Sequence, residues 1–444
     1  MNLDLLRYFR LPLSVAVLSL YFNLCMSQSG STTIAKWQYG KNGAVSITYD
    51  DASRNQFTRA LPVMQRLKIP ATFFVITGPI TGSQYHGKFV GRPVEAIIQE
   101  SANVPTDNNN FLERCSAAGY LGYMGTISYH TRAGSLYSSG KKQQAFYLME
   151  SLYAKVRRGD FTPGYEPCPE YKEAVGSSWD DFRKYAVEGY EIASHSVTHA
   201  TMPGLDEANI RYELEKSKEE IKNHLGDKYT FSAEVPYGYE DDRVMQIAYK
   251  IYPALRNRMP EPFLKEIDRA GKEHPHPCNR DYVQWQRGPL HKTSLTLMKS
   301  WVDTTYSNND TWLVLVFHGI DSLGWEPTPI PKLEEYFRYI KDREDKLWIA
   351  TFGDVARYIR EREHATINSS EKDGKISVSL IHSLDKTEYD LPLTLKTYVP
   401  DKWNRVAVIQ GTNQKTVEVQ HDDKGAYILY QVEPNTTGAL LSAS

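Results

Sequence analysis

The sequence is poor in cysteine and in long apolar runs, and it carries almost no excess of charge of either sign. Its 444 residues include 4 cysteines, and 52 Lys and Arg stand against 54 Asp and Glu, for a net charge of −2. So few cysteines in so long a chain exclude a disulfide-stapled small domain. The charge balance leaves no basic footprint for nucleic acid or an anionic membrane. Beyond residue 24 no stretch is apolar for long enough to span a bilayer, so no stable membrane span is expected. Internal repeats and low-complexity tracts are also missing.

What is present is an ordinary globular composition, 41% hydrophobic and 24% charged, in a chain long enough for two or three domains. Tyrosine is abundant, with 30 residues. A phenol ring offers an apolar face and a polar tip, which suits sugar surfaces as well as half-buried packing.

The N-terminus reads as an export signal. Arg7 and Arg10 precede an apolar run from Leu11 to Leu24, too short to span and interrupted by Pro12 and Asn23. Cys25 and Ser27 are spaced like a cleavage site, so residues 1–27 are expected to be removed after Ser27. The competing readings are a membrane anchor or a lipid-modified Cys25. Export implies a periplasmic, cell-surface or secreted protein. Cleavage leaves Cys115, Cys168 and Cys278, with Cys115–Cys168 a plausible disulfide and Cys278 left over.

Residues 43–80 read as strand, helix, strand. Val45, Ile47 and Tyr49 alternate with Ala44, Ser46 and Thr48, the period-2 pattern of a strand. Thr72–Ile76 is a short apolar run suited to a strand covered on both faces. Residues 81–178 break the rhythm and are expected to form a long insertion with one clear helix, around Gln143–Val156. The alternation resumes at Trp179. Asp206 can cap a helix lined by Ile210, Leu214, Ile221 and Leu225 and closed by Gly226. Apolar strands follow at Phe231–Val235, Trp312–Phe317 and Leu347–Ala350.

Strands alternating with helices predict an α/β domain on a largely parallel sheet, open or closed into a barrel, over residues 28–364. Residues 365–374 are polar and linker-like. From 375 to 444, strand candidates recur without helical period at Ile376–Ile381, Leu391–Val399, Val406–Ile409, Thr416–Gln420 and Ala426–Val432. They predict a small all-β, sandwich-like domain.

The chemistry-bearing residues all follow predicted strands, where catalytic groups gather in such folds. Asp50 and Asp51 follow the first strand. Neighbours on an ideal strand point to opposite faces, but a turn at the strand end lets both reach one pocket. One metal ligand beside one general base suits them better than a glycosidase acid–base pair. Taken alone, the two acids are as well explained by a helix cap or a solvated turn. His195 and His199, in Ser194-His195-Ser196-Val197-Thr198-His199, have a spacing that can hold one metal from a tight turn. Pro236-Tyr237-Gly238 ends another strand, where backbone N–H groups could hold an oxyanion or simply form a turn. His318 closes the strand Trp312–Phe317 and is a candidate general acid or a satisfied core histidine.

In this order and placement, the set resembles the polysaccharide deacetylases of carbohydrate esterase family 4, which include chitin, peptidoglycan and acetylxylan deacetylases. The resemblance covers roughly residues 40–80 and 178–362. It implies a distorted (β/α) barrel, an acetylated glycan as substrate and a divalent metal, zinc or a similar ion. It further implies Asp50 as general base, Asp51, His195 and His199 as metal ligands, His318 as general acid and the Tyr237 N–H as oxyanion donor. An amide leaving group would need the His318 proton more than an ester would.

One position departs from the pattern. Many members carry Arg two residues before the Pro-Tyr pair, and here that residue is Glu234. Pointing inward, it would raise the pKa of Asp50 by repulsion. Either it points away or another cation compensates, with Arg256 and Arg258 as candidates. Trp285 with Asp281 or Arg287 is the expected partner set of the acid. Three rivals remain: a weakened or inactive relative that binds glycan, a metal-dependent amidase for non-carbohydrate amides, and an adhesive protein using the β domain.

Overall fold

Along the strand Gly43–Tyr49 the two alternating sets of side chains meet different surroundings. Val45, Ile47 and Tyr49 pack into a core shared with Phe73, Leu313 and the surrounding helices. Ala44, Ser46 and Thr48 turn to the other side, where they are also fully buried. A strand buried on both faces is the signature of a parallel sheet covered by helices.

The computed structural model describes residues 29–444, so the expected signal peptide lies outside the described residues. Its centre is a nine-stranded sheet. From one edge the strands run Ala254–Leu255, Ser232–Ala233, Glu191–Ser194, Thr72–Val75, Gly43–Tyr49, Thr311–Phe317, Val283–Arg287 and Ile267–Asp268, with Leu347–Ile349 beside the start of Gly43–Tyr49. Every ladder is parallel. The sheet curls into an incomplete barrel, the α/β architecture expected, and no ladder joins its two edges. Side chains bridge the seam instead: Gln284 Nε2 donates to the Arg256 carbonyl at 2.8 Å, and Gln286 Nε2 donates to Asn257 Oδ1.

The helix Glu207–Leu225 has the ends expected of it. Asp206 accepts from the Asn209 N–H, and Gly226 closes the helix at φ 99°. Its inner face also carries Glu213, whose carboxylate accepts from Val197 N, Thr198 N and Thr198 Oγ1 at 2.6–3.0 Å. That buried acid fixes the loop holding His195 and His199.

The insertion is richer in helix than its sequence suggests. The expected helix is present at Lys142–Arg158, and Val94–Glu100, Phe111–Ala118, Ile127–Ser138 and Pro169–Glu173 accompany it. Phe111, Cys115, Met149, Leu152 and Tyr153 form a separate core within it. The helix Ile127–Ser138, rich in Ser, Thr, Tyr and Gly, has weak intrinsic propensity and is held by packing. It crosses close to the Met202–Gly204 turn. A Cβ on Gly204 would lie 2.8 Å from Cys115 Sγ and 3.0 Å from Gly134 Cα, so only glycine permits this approach.

Three other expectations change. Cys115, Cys168 and Cys278 are all free thiols, so the Cys115–Cys168 disulfide is not formed. Residues 365–374 are not a linker: Thr366–Lys372 is a strand paired with Lys375–Ile381 across an Asp373-Gly374 turn. Asp373 and Gly374 both have positive φ, as a two-residue hairpin turn requires. Thr32–Ile34, assigned from sequence to the α/β domain, pairs with Leu393–Tyr398 of the C-terminal region. There the five expected strands, one of them divided into Asn413–Glu418 and Gln420–Asp422, join Thr32–Ile34, Thr366–Lys372 and the unexpected Ala439–Ala443 in two antiparallel sheets of four and five strands. Leu395, Ile428, Val378 and Leu441 share one core with Trp348, Phe352 and Tyr358 of the barrel.

Candidate active site

At the carboxyl ends of the parallel strands lies a cavity of about 470 Å³. Asp50, Asp51, His195, His199, Tyr237 and His318 all line it, so the expected base, ligand, oxyanion and acid candidates reach one place. Asp50 continues the inward face of Gly43–Tyr49, its N–H donating to the Phe317 carbonyl at 3.0 Å. The chain then turns through two left-handed residues, Asp51 at φ 75° and Ala52 at φ 60°. That turn brings the second carboxylate into the pocket beside the first. Ser196, His199 and Tyr237 are also left-handed, at φ 68°, 63° and 61°. Such backbone costs about 1–3 kcal/mol per residue, and its concentration here marks a site over-determined by its surroundings.

Asp51 Oδ1 lies 3.5 Å from His195 Nε2 and 3.2 Å from His199 Nε2. Their ligand atoms all lie within 4.8 Å of one another, and all three residues are buried. His195 Nδ1–H donates to the Glu234 carbonyl at 2.8 Å, which leaves Nε2 as the lone-pair nitrogen facing Asp51. One carboxylate oxygen and two such nitrogens fit a divalent ion and leave positions open for water and substrate. Burial would raise Asp51, but the imidazoles of His195 and His199 beside it hold it well below the usual carboxylate range. Burial would lower His199, but its contacts with Asp51 and Cys168 lift it to about 10.

Asp50 has a different partner. Arg256 donates to both its oxygens, Nη1 to Oδ1 at 2.6 Å and Nη2 to Oδ2 at 2.7 Å. Room for this guanidinium comes from the small residue Thr48 on the inward face, whose Oγ1 also accepts from Nη1 at 2.9 Å. Burial would raise Asp50, but Arg256 and His318 hold it below its ordinary value. Of the two candidate cations, then, Arg256 compensates, whereas Arg258 pairs with Asp242 and the Glu240 carbonyl. Glu234 faces the other edge of the same guanidinium, with Oε2 3.7 Å from Arg256 Nε, and accepts from the Asn257 backbone N–H at 3.0 Å. Burial pushes Glu234 well up, with Arg256 opposing.

His318 Nε2 stands 3.4 Å from Asp50 Oδ2, and its ring meets Trp325 edge-on at 4.6 Å. Burial lowers its pKa. The expected partners of His318 do not reach it. Trp285 is fully buried and donates to the Gly271 carbonyl, Asp281 pairs with Lys36 and Arg362, and Arg287 stacks on Trp285 and Trp301.

Several residues in and behind the site escaped sequence reasoning, among them Asn257, Arg269 and Gln286 in the cavity wall and two acids. Glu213 has a readable signal, an acid among the apolar positions of an amphipathic helix. Glu170, in the cavity wall, has none, because it belongs to the insertion.

The family profile described as polysaccharide deacetylase matches residues 38–106 and 165–252. The chain is 28% identical to a gellan lyase from a Bacillus species over 276 residues, which are 57% of this chain and 11% of that protein. The chain therefore spans about a tenth of that relative. Among solved structures it is similar to the Xyl-CE4 domain of a multidomain xylanase from the hindgut metagenome of Trinervitermes trinervoides, with 13% identity over 70% of this chain and 89% of that one, TM-score 0.32. It is also similar to a family 4 carbohydrate esterase from Streptomyces lividans, with 12% identity, 69% and 92% coverage and TM-score 0.32. The profile breaks off at 106 and resumes at 165, around the helices Phe111–Ala118, Ile127–Ser138 and Lys142–Arg158; its second segment contains His195 and His199, and His318 lies beyond it. This match, together with the motifs that carry it, makes residues 38–106 and 165–252 of the chain similar to the polysaccharide deacetylase family.

Proposed function

We propose that this protein is an exported hydrolase that removes acetyl groups from a glycan at the Asp50–His318 site, with zinc held by Asp51, His195 and His199. The observation that carries the reading is the pairing of two distinct carboxylates at one strand end. Asp51 faces two imidazoles, and Asp50 faces a guanidinium. Asp51, His195 and His199 would hold a divalent ion, which when bound would polarise the acetyl carbonyl and lower the pKa of water toward about 7. Asp50, kept ionised by Arg256, takes the proton of the attacking water. The Tyr237 N–H supports the charge that develops on the acetyl oxygen. His318 gives a proton to the departing nitrogen or oxygen as the bond to the acetyl carbon breaks. Tyr237 and Trp325, both partly exposed, offer ring faces to a sugar. Among the described residues no helix is long and apolar enough to cross a membrane.

A weakened, glycan-binding relative was the reading favoured by Glu234. Arg256 supports the active reading instead, because it gives Asp50 the cation that Glu234 cannot. The test is acetate release from chitin oligomers, peptidoglycan fragments and acetylxylan, using metal-stripped protein with and without zinc. Release that requires zinc supports the proposal and names the substrate class. Bound zinc without release from any of these glycans overturns it.

Zinc binding should depend on pH in a set direction. With His199 raised to about 10, the metal must displace a proton across the neutral range. Affinity is then expected to rise with pH by up to about tenfold per unit between pH 6 and 8. A calorimetric titration at several pH values would measure it, and an affinity flat in pH would contradict the proton displacement.

A further inference from the structure

His199 approaches Asp51 through Nε2, so its second nitrogen, Nδ1, must carry the proton when the ring serves as a neutral metal ligand. In His195 the matching Nδ1–H is satisfied by a barrel residue, the Glu234 carbonyl. In His199 it is buried and has no hydrogen-bond partner. Two groups stand near it, both from the insertion: Glu170 and Cys168. The Cys168 thiol donates its proton to the Thr198 carbonyl at 3.5 Å, which leaves sulfur a weak acceptor. Glu170 Oε2 lies 3.7 Å from Nδ1 and accepts a long hydrogen bond, 3.4 Å, from the Tyr237 hydroxyl.

We infer that Glu170 is the acceptor for His199 Nδ1–H in the metal-loaded site, a positioning residue that the insertion supplies to the metal centre. This rests on the reading of Asp51, His195 and His199 as metal ligands. A carboxylate behind a ligand histidine fixes its tautomer and ring orientation and makes Nε2 more basic. For that bond to form, the present 3.7 Å separation must shorten through a turn of the Glu170 side chain. The same carboxylate accepts from the Tyr237 hydroxyl, so one residue of the insertion contacts the side chains of both a proposed metal ligand and the proposed oxyanion residue.

The experiment titrates the metal-free full-length protein with zinc alone against a chromophoric chelator. The wild type is expected to bind one zinc. Glu170→Ala is expected to bind it about 10–100-fold more weakly. Glu170→Gln, whose amide oxygen still accepts but carries no charge, should fall between. Glu166→Gln, on an exposed neighbour paired with Lys172, should match the wild type. The metal-free unfolding midpoint of Glu170→Ala should also match, which separates a role toward the metal from a role in folding. Wild-type affinity in Glu170→Ala overturns the inference. So does a second zinc that disappears in that variant, because Nδ1 would then be a ligand itself. No zinc on the wild-type protein overturns the underlying metal reading as well, and so is told apart from failure of Glu170 alone.

Discussion

Asp50→Asn is expected to lower deacetylation turnover about 10²–10⁴-fold while zinc binding stays intact. Asparagine keeps the shape of the side chain, and its carbonyl can still accept one bond from Arg256, so the fold tolerates it. It cannot take a proton from water. Asp51, His195 and His199 are untouched, and their mutual distances do not depend on Asp50. His195→Ala makes the opposite pattern: removing one of three ligands takes metal and activity together. Measuring zinc content and turnover on the same two preparations separates the roles of adjacent carboxylates. Full turnover in Asp50→Asn would exclude it as the base, and loss of zinc in that variant would move it into the ligand set.

Arg256→Met is expected to cost about 3–5 kcal/mol of folding stability, because it strips the shared cation from two buried acids. Asp50 is 3% exposed and Glu234 2%, so water cannot take the place of the guanidinium. Urea unfolding midpoints give the measurement. Asp50→Asn combined with Arg256→Met should recover part of the loss, because one buried charge then goes with its partner. Activity should move as well. Arg256 holds the Asp50 pKa below its ordinary value, so its removal raises that pKa. The acid limb of the kcat/KM profile should then shift to higher pH, since protonated Asp50 is no base. An unshifted limb, with stability lost, would leave Arg256 a structural residue only.

The candidate constellation, as a set of residues that meet in one cavity, was legible because its signals are local. Asp50-Asp51 ends a period-2 strand, His195 and His199 share one loop, and His318 closes an apolar run. Arg256 was visible only as one of two candidates, since nothing local says which arginine crosses the barrel to Asp50. The small residue at Thr48, which makes room for it, is evident only once the strands are placed. Thr32–Ile34 could not be assigned correctly by proximity, because its partner strand begins at Leu393. Thr366–Lys372 was mistaken for a linker because both its faces are polar. Its stability comes from the ladder to Lys375–Ile381, and the Asp373-Gly374 turn was the overlooked signal. The insertion's shorter helices were missed for want of amphipathic period and strong propensity, since they are held by a core of their own.

That insertion leaves and re-enters the barrel at nearly the same point. Thr81 bridges Ser178, and Thr81 N–H donates to the Ser177 carbonyl at 2.9 Å. A segment with such closely joined ends can be lengthened, shortened or replaced in the course of descent without re-threading the barrel. Glu170 lies only eight positions before Ser178, just inside this exchangeable module. A lineage could therefore retune what stands behind His199, and with it how firmly the proposed metal would be held, by trading the module while every barrel residue of the site stayed the same.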